Sequence, residues 1–285
     1  MISIGVSSLV YAATVKIDLG TADAFAVLAG TEITNVPTSV ITGNVGLSPA
    51  AGSNYDSGVT TAQITGNIYA VDGTGPLGAI NNPGLLTIAK SSLTTAYLDA
   101  AGRTPTTTFA TTDNQLGGQT LTTGVYSFGH ADTANLTAAS PLTLDAENNP
   151  NAVFILQASS DLVTASGSVV QLINGAQSCN VFWQVTSSAT LGSGSTFKGT
   201  IMALTSITVT SGANIQGRVL ARNGAVTLDA DTISRPVCST RTTLVDTSGD
   251  ITNKSKLIIS SLIIALAGMS SIYLISRIIK KRTIN

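Results

Sequence analysis

The segments VFWQVTSSATLGSGSTFK (181–198), GTIMALTSITVTSGANIQ (199–216) and GRVLARNGAVTLDADTIS (217–234) follow one another and align without a gap. Trp183, Ile201 and Val219 share one column, and Phe197, Ile215 and Ile233 share another. A fourth segment far upstream, FAVLAGTEITNVPTSVIT (25–42), falls into the same frame, with Val27 in the Trp183 column and Ile41 in the Phe197 column. An apolar-x-Gly-x-apolar corner recurs as Ile41/Gly43/Val45, Ile64/Gly66/Ile68, Phe197/Gly199/Ile201 and Ile215/Gly217/Val219. A period of this kind predicts a β-solenoid, in which each coil makes about three short strands and pairs with the next. Glycine suits the corner because a side chain there would meet the same corner one coil away. Inward positions are mostly Val, Ile, Leu and Ala, as a narrow triangular interior with little room for rings would require. In the last coil the inward pair slips by one position, to Val226 and Leu228, which predicts a local bulge.

Outward from these coils the pattern is interrupted twice. Residues 43–65 make one coil with about five extra residues. Residues 83–101, PGLLTIAKSSLTTAYLDAA, read as a helix: Asn82 can cap it, Pro83 suits its first turn and Gly102 ends it. Leu86, Ala89, Leu93, Ala96 and Ala100 fall on one face, a narrow apolar stripe that should lie along one side of the solenoid. Residues 104–118 read as a Thr- and Gly-rich connection, with strands resuming at 121–128, 142–144 and 153–156.

Composition agrees with many short strands. The 285 residues include 41 Thr and 27 Gly, aromatics are 5% and charged residues 10%, against roughly 25% charged in an ordinary soluble domain. With 14 Lys and Arg there is no basic patch for nucleic acid. With His130 alone there is no histidine-based metal or acid–base site, and no cofactor is expected. The two ends read differently from the coils. LIISSLIIALAGMSSIYLIS (257–276) is uncharged and long enough, at about 30 Å of helix, to cross a bilayer. Arg277, Lys280, Lys281 and Arg282 follow it, against Lys254 and Lys256 before it, which places the 277–285 tail in the cytoplasm and the main domain outside. Residues 1–13 end in Val10-Tyr11-Ala12, a small-residue pattern that suggests the remnant of a signal peptide. The expected organisation is therefore a solenoid over 14–238, a polar stalk over 239–256, a transmembrane helix and a basic tail.

A set of ordered motifs carries a family resemblance. Leu19-Gly20-Thr21-Ala22, Phe25-Ala26-Val27-Leu28, Val36-Pro37, Ile41-Thr42-Gly43-Asn44-Val45-Gly46 and Ser48-Pro49 open it. The helix end Thr95-Ala96-Tyr97-Leu98-Asp99-Ala100-Ala101 follows, then Leu116-Gly117-Gly118, Gly124-Val125-Tyr126 and Gly175-Ala176-Gln177. Asn180-Val181-Phe182-Trp183-Gln184-Val185 and Gly217-Arg218-Val219-Leu220-Ala221 close it. Over about 19–235 the chain resembles the microbial ice-binding-protein-like family. The resemblance implies a mainly β fold, an irregular right-handed β-solenoid with one long helix alongside, and a flat face that binds ice in characterised members.

Alternation along the middle strand of each coil sends Ala189, Leu191, Ile207 and Val209 inward. Ser188, Thr190, Ser206, Thr208, Thr210, Ala225 and Thr227 then point outward, and Thr34 of the upstream coil falls in the Thr190 column. The resemblance makes this uncharged Thr/Ser/Ala patch the candidate ice-contacting face, with Glu32 and Asp161 interrupting its neighbours. Threonine is also common on any half-exposed strand, so the column alone does not demand a ligand. A surface adhesin or structural solenoid binding polysaccharide or protein is the alternative. Asp145 with Glu147 and Asp229 with Asp231 are acid pairs two apart. They could serve a polysaccharide-cleaving groove, and the Asp pair could hold Ca²⁺, but they read more simply as solvent-facing turn residues. Cys179 and Cys238 are the only cysteines, and an even pair in an exported chain suggests a disulfide. The repeat frame separates them by more than two coils. Either the chain after Ser234 folds back over the coil that starts near 179, or the two remain free thiols.

Overall fold

The computed structural model describes residues 14–36, 39–109, 115–128 and 133–239. The aligned segments stack in the register of the repeat: Trp183 pairs with Ile201, Ile201 with Val219, Phe197 with Ile215 and Ile215 with Ile233. Pairing is parallel throughout these coils. A 13-stranded sheet bends round the glycine corner, and a 6-stranded sheet closes the remaining side. Toward the far end a 3-stranded sheet (Thr120–Leu121, Leu142–Asp145, Val170–Ile173) replaces the strand that precedes the corner.

The glycine corners are dictated by contact distance. A Cβ on Gly217 would run into the carbonyl oxygen of Gly199, its equivalent one coil away, and a Cβ on Gly66 would stand 2.5 Å from the carbonyl oxygen of Gly43. The coil 43–65 has its five extra residues: Ile41 pairs with Ile64 and Val45 with Ile68. The slip in the last coil is local. Ala203 pairs with Ala221, then Ile207 with Val226, and by Asn214 and Thr232 the original offset is restored.

The first coil of the chain stacks on the last. Strand Phe25–Ala29 pairs with Asn214–Ala221, Ile33–Val36 with Val226–Asp229 and Val40–Thr42 with Thr232–Ser234. The chain must therefore travel the length of the solenoid before it can wind back. The helix Pro83–Gly102 makes that crossing, between strands Ile80–Asn81 and Thr107–Phe109 at opposite ends of the large sheet. Its 20 residues span about 30 Å. The Asn82 side chain accepts from the Leu85 N–H at 3.0 Å, as a capping residue does.

Leu86, Ala89, Leu93, Ala96, Tyr97 and Ala100 are buried against Phe25, Leu28, Val125, Ile155, Phe182, Met202 and Leu220. Those sheet residues point away from the solenoid interior, so the helix gives this sheet a second covered face. That explains why FAVLA, FILQA and VFWQV are buried at every position, where a strand open on one side would alternate. Polar groups caught in the layer are bonded. Gln157 donates to the Ala100 and Arg103 carbonyls at the helix end, Gln184 to the Tyr97 hydroxyl, and Lys90 to the Ala221 and Arg222 carbonyls. Burial pulls the Lys90 ammonium down to about 8.

Two expectations need correction. The connection 104–118 contains a strand, Thr107–Phe109, which pairs with Tyr126, Ser127 and Phe128. The interior also takes more rings than a narrow triangle would: Tyr126, Phe128, Phe154, Trp183 and Phe197 all lie inside. Most of them sit in the longer coils, where Val125 pairs with Ile155 and Ile155 with Phe182, partners 30 and 27 residues apart.

The N-terminal segment and the chain after Ser234 are fastened at one corner. Arg218, 2% exposed, donates to the Asp23 carboxylate at 2.6 Å, and Arg235 reaches the other oxygen of Asp23 at 3.3 Å. Beyond Arg235 the chain turns back along the solenoid, and Cys238 is disulfide-bonded to Cys179 with 5.5 Å between their Cα atoms. Ser239 and Gln177 clasp each other through backbone and side chain. Among the described residues no helix is long and apolar enough to cross a membrane. The expected signal remnant (1–13), nearly all of the stalk, the 257–276 span, the basic tail and His130 lie outside the described residues.

Gly217→Ala should lower stability by about 2 kcal/mol, the cost of forcing a methyl group into filled space. Gly73, with nothing within 4 Å of a new Cβ, is the control, and Gly73→Ala should stay within about 0.5 kcal/mol. Urea unfolding followed by far-UV circular dichroism would compare them.

Candidate functional site

The 6-stranded sheet forms a side of the coils that the helix does not cover. Its strands run Ala134–Leu136, Leu162–Thr164, Ala189–Leu191, Ile207–Val209, Val226–Asp229 and Ile33–Val36 in spatial order. Inward residues alternate with outward ones, and the register carries one outward residue of each strand into a line: Asn135, Val163, Thr190, Thr208, Thr227 and Thr34. Neighbours in the line are about 4.8 Å apart, the spacing of paired strands.

The structure separates the proposed site residues by what their hydroxyls do. Ser188 Oγ accepts from the Ser206 N–H and lies 2.6 Å from Thr205 Oγ1, and Ser206 Oγ accepts from the Ala225 N–H at 3.1 Å. The carboxylate of Asp161 accepts in the same way from the Ser188 N–H at 2.9 Å. This margin is a staircase of side chains, each taking the N–H of the next coil. On the other margin Thr210 donates to the Leu191 carbonyl at 2.7 Å and accepts from Ser193. Thr34 stands in the central line, but its hydroxyl oxygen is buried without a partner. Thr190, Thr208 and Thr227 are different. Among the described residues no protein group bonds their hydroxyls, and all three are half-buried or exposed.

Charge stays at the edges of this patch. Glu32 adjoins Ala225 through the bond from the Val226 N–H to the Glu32 carbonyl, and Asp229 pairs with Val36. Val163, 37% exposed, continues the threonine line beyond Thr190. Sequence reasoning passed over it because its coil is longer than 18 residues and does not align with the repeat. Thr164 lies off this face because it points inward, 3% exposed, with its oxygen accepting from the Gly192 N–H. A bulky residue there would enter the core.

The acid pairs are turn and corner devices. Asp145 accepts from the Glu147 N–H and from the Asn174 side chain. Asp229 is half-buried, while Asp231, expected to face solvent, is 1% exposed. Its carboxylate accepts from the Ala213 and Asp229 N–H groups, and its own N–H donates to Ser39 Oγ. A turn residue is expected to face solvent, but this corner folds inward and buries it. Among the described residues no three His, Cys, Asp or Glu side chains gather as a metal site would need.

The coils pair in parallel and carry a line of uncharged outward residues in register. The family model described as Ice-binding-like matches residues 27–234, and the chain belongs to that family. It is 43% identical over 224 residues to an ice-binding protein of Nostoc sp. (strain HG1), covering 78% of this chain and 75% of that protein. It is 36% identical over 239 residues to an ice-binding protein of Colwellia sp., covering 82% and 89%. Among solved structures, an ice-binding protein from an Antarctic biological consortium superposes with a TM-score of 0.69 at 37% identity, covering 82% of this chain and 97% of that one.

Asp231 ties the last coil both to the coil before it and to the first coil of the chain. Burial pushes its carboxyl up to about 7, against the pull of the N–H groups it accepts from. A carboxyl raised in the folded state favours folding below the ordinary carboxylate range, and that contribution is lost as pH rises through about 7. Between pH 4 and pH 8 the wild-type melting temperature should therefore fall relative to that of Asp231→Ser. Parallel thermal melts of the two proteins would show it.

Proposed function

We propose that the chain binds ice through the outward side of the 6-stranded sheet of a triangular, right-handed solenoid. The observation that carries this reading is the line Thr190, Thr208 and Thr227, with free hydroxyls at one strand spacing on a rigid backbone. Each threonine offers a hydroxyl to anchor a water and a methyl to shelter it. Ser188, Ser206, Thr210 and Ala225 flank the line with small groups, and their bonds to neighbouring coils keep it flat. Relatives named as ice-binding proteins support the same ligand. Adsorption to a lattice needs neither cofactor nor bond-breaking chemistry.

We further propose that the domain is displayed on the cell surface. Residues 1–13 would be what remains of an export signal, 257–276 a single membrane span and 277–285 a cytoplasmic tail. The uncharged 20-residue stretch and the excess of positive charge after it support this orientation.

Thr208→Tyr should abolish inhibition of ice recrystallisation with little change in stability, less than about 0.5 kcal/mol, because the ring projects from the surface. Asn214→Tyr, exposed on another side of the solenoid, should keep full activity. Two folded variants that are equally active would remove this column from the site. A wild-type protein that fails to partition into growing ice would leave the adhesin reading. For display, protease added to intact cells should release the solenoid domain and spare the 277–285 tail. The reverse pattern would invert the orientation.

A further inference from the structure

The last strand of the solenoid, Thr232–Ser234, lies at a seam. It pairs with Val40–Thr42, which belongs to the coil at the other end of the sequence, and no short turn of chain joins those two coils. The place where the chain would continue is already filled by Phe25–Ala29. At Arg235 the N–H donates to the Thr42 carbonyl at 2.9 Å, and the chain then leaves the stack. It runs back to Cys179, which is buried together with Ser178 and Asn180 in a turn just ahead of strand Val181–Val185. Ser239 is held there from both sides, its N–H donating to Gln177 Oε1 at 2.8 Å and its carbonyl accepting from Gln177 Nε2 at 3.2 Å.

The covalent loop closed by Cys179 and Cys238 contains all three coils 181–234. Ser188, Thr190, Ser206, Thr208, Thr210, Ala225 and Thr227 therefore lie inside it, while Thr34, Val163 and Asn135 of the outward line lie outside. Without the bond, a pull on the C-terminus would act on Ser234 at the seam. The three pairs Thr232–Val40, Ile233–Ile41 and Ser234–Thr42 would open in turn, and the coils carrying the face would unwind after them. With the bond, the same pull passes from Cys238 to Cys179 and enters the solenoid three coils away from the seam.

We propose that the strap 235–239 and its disulfide form a mechanical latch that keeps a pull on the C-terminus from unwinding the ice-face coils. Its purpose rests on the tethered ice-binding reading, since a domain held by ice at one side and by its tail at the other is under tension. Its mechanics do not depend on that reading.

The test is to stretch the full chain, in detergent micelles, between terminal tags in an optical trap, first oxidised and then with reductant added. The reduced chain should give way first in a step of about 60 Å, one 18-residue coil at roughly 3.3–3.6 Å per residue, at a force roughly half or less of that which first opens the oxidised chain. The double variant Cys179→Ser/Cys238→Ser should behave as the reduced chain does. If it does not fold, reduction of the wild type inside the trap gives the same comparison. Equal first-opening forces in the oxidised and reduced chains would overturn the latch. A reduced chain that opens first from its N-terminal side would overturn it too. Ice partitioning of the unstretched protein should be the same in both redox states. Loss of partitioning in the oxidised protein would instead count against ice binding and leave the latch standing.

Discussion

Backbones paired in parallel lie about 4.8 Å apart, and at a solenoid corner that distance is all that separates one coil from the next. Gly199 and Gly217 stand directly over one another, and a side chain on the second would occupy the carbonyl of the first. The coils can then stack in strict register, and strict register places the same position of every coil in one line. The apolar columns inside and the threonine line outside are two products of that single constraint.

Stacking also creates a difficulty that the rest of the chain resolves. A solenoid wound in one direction leaves its first and last coils far apart. Here the helix carries the chain to the far end, so that the winding returns and the first and last coils meet side by side. The crossing is stable because the helix buries an apolar stripe against the outer side of the large sheet, each fully buried Leu contributing about 2 kcal/mol. The meeting of the two ends is held by groups with little tolerance for loss. Arg218 is almost fully buried and has Asp23 as its counter-charge, and burial lowers its pKa to about 10 even beside that carboxylate. Asp231 plays the corresponding part at another corner, joining three coils through its carboxylate and its backbone N–H.

The coils over 181–234 and the helix were legible in the residues because both repeat at fixed spacings. The stripe from Leu86 to Ala100 could be read for the same reason. The coils between the helix and residue 181 could be read only in part. Their partners lie 27 and 30 residues apart, and loops of unequal length hide the period, so strands 107–109, 134–136 and 170–173 went unread. Val163 was missed with them, although it extends the outward line. A turn position predicts exposure for Asp231, and the fold turns it inward. The path of the strap is signalled by the cysteine pair alone, which requires the chain after Ser234 to fold back toward Cys179. Only the stacking of 25–42 on 217–234 forces the chain out of the coil after Ser234, and that stacking is a contact between opposite ends of the sequence.

The candidate face shows how such a surface reconciles two demands. Hydroxyls that bond to neighbouring coils make the sheet rigid but are then unavailable to a ligand. Free hydroxyls can hold water in place but do nothing to hold the strands. On this sheet the two tasks fall to different columns. Ser188 and Ser206 on one margin and Thr210 on the other bond between coils. The hydroxyls of Thr190, Thr208 and Thr227 in the middle are bonded by no protein group among the described residues. Asp161, Glu32 and Asp229 mark where the uncharged area stops, and the buried hydroxyl of Thr34 marks where the open line stops. A face of this width depends on its margins: removing a serine at the edge would loosen the spacing of the threonines beside it without touching them.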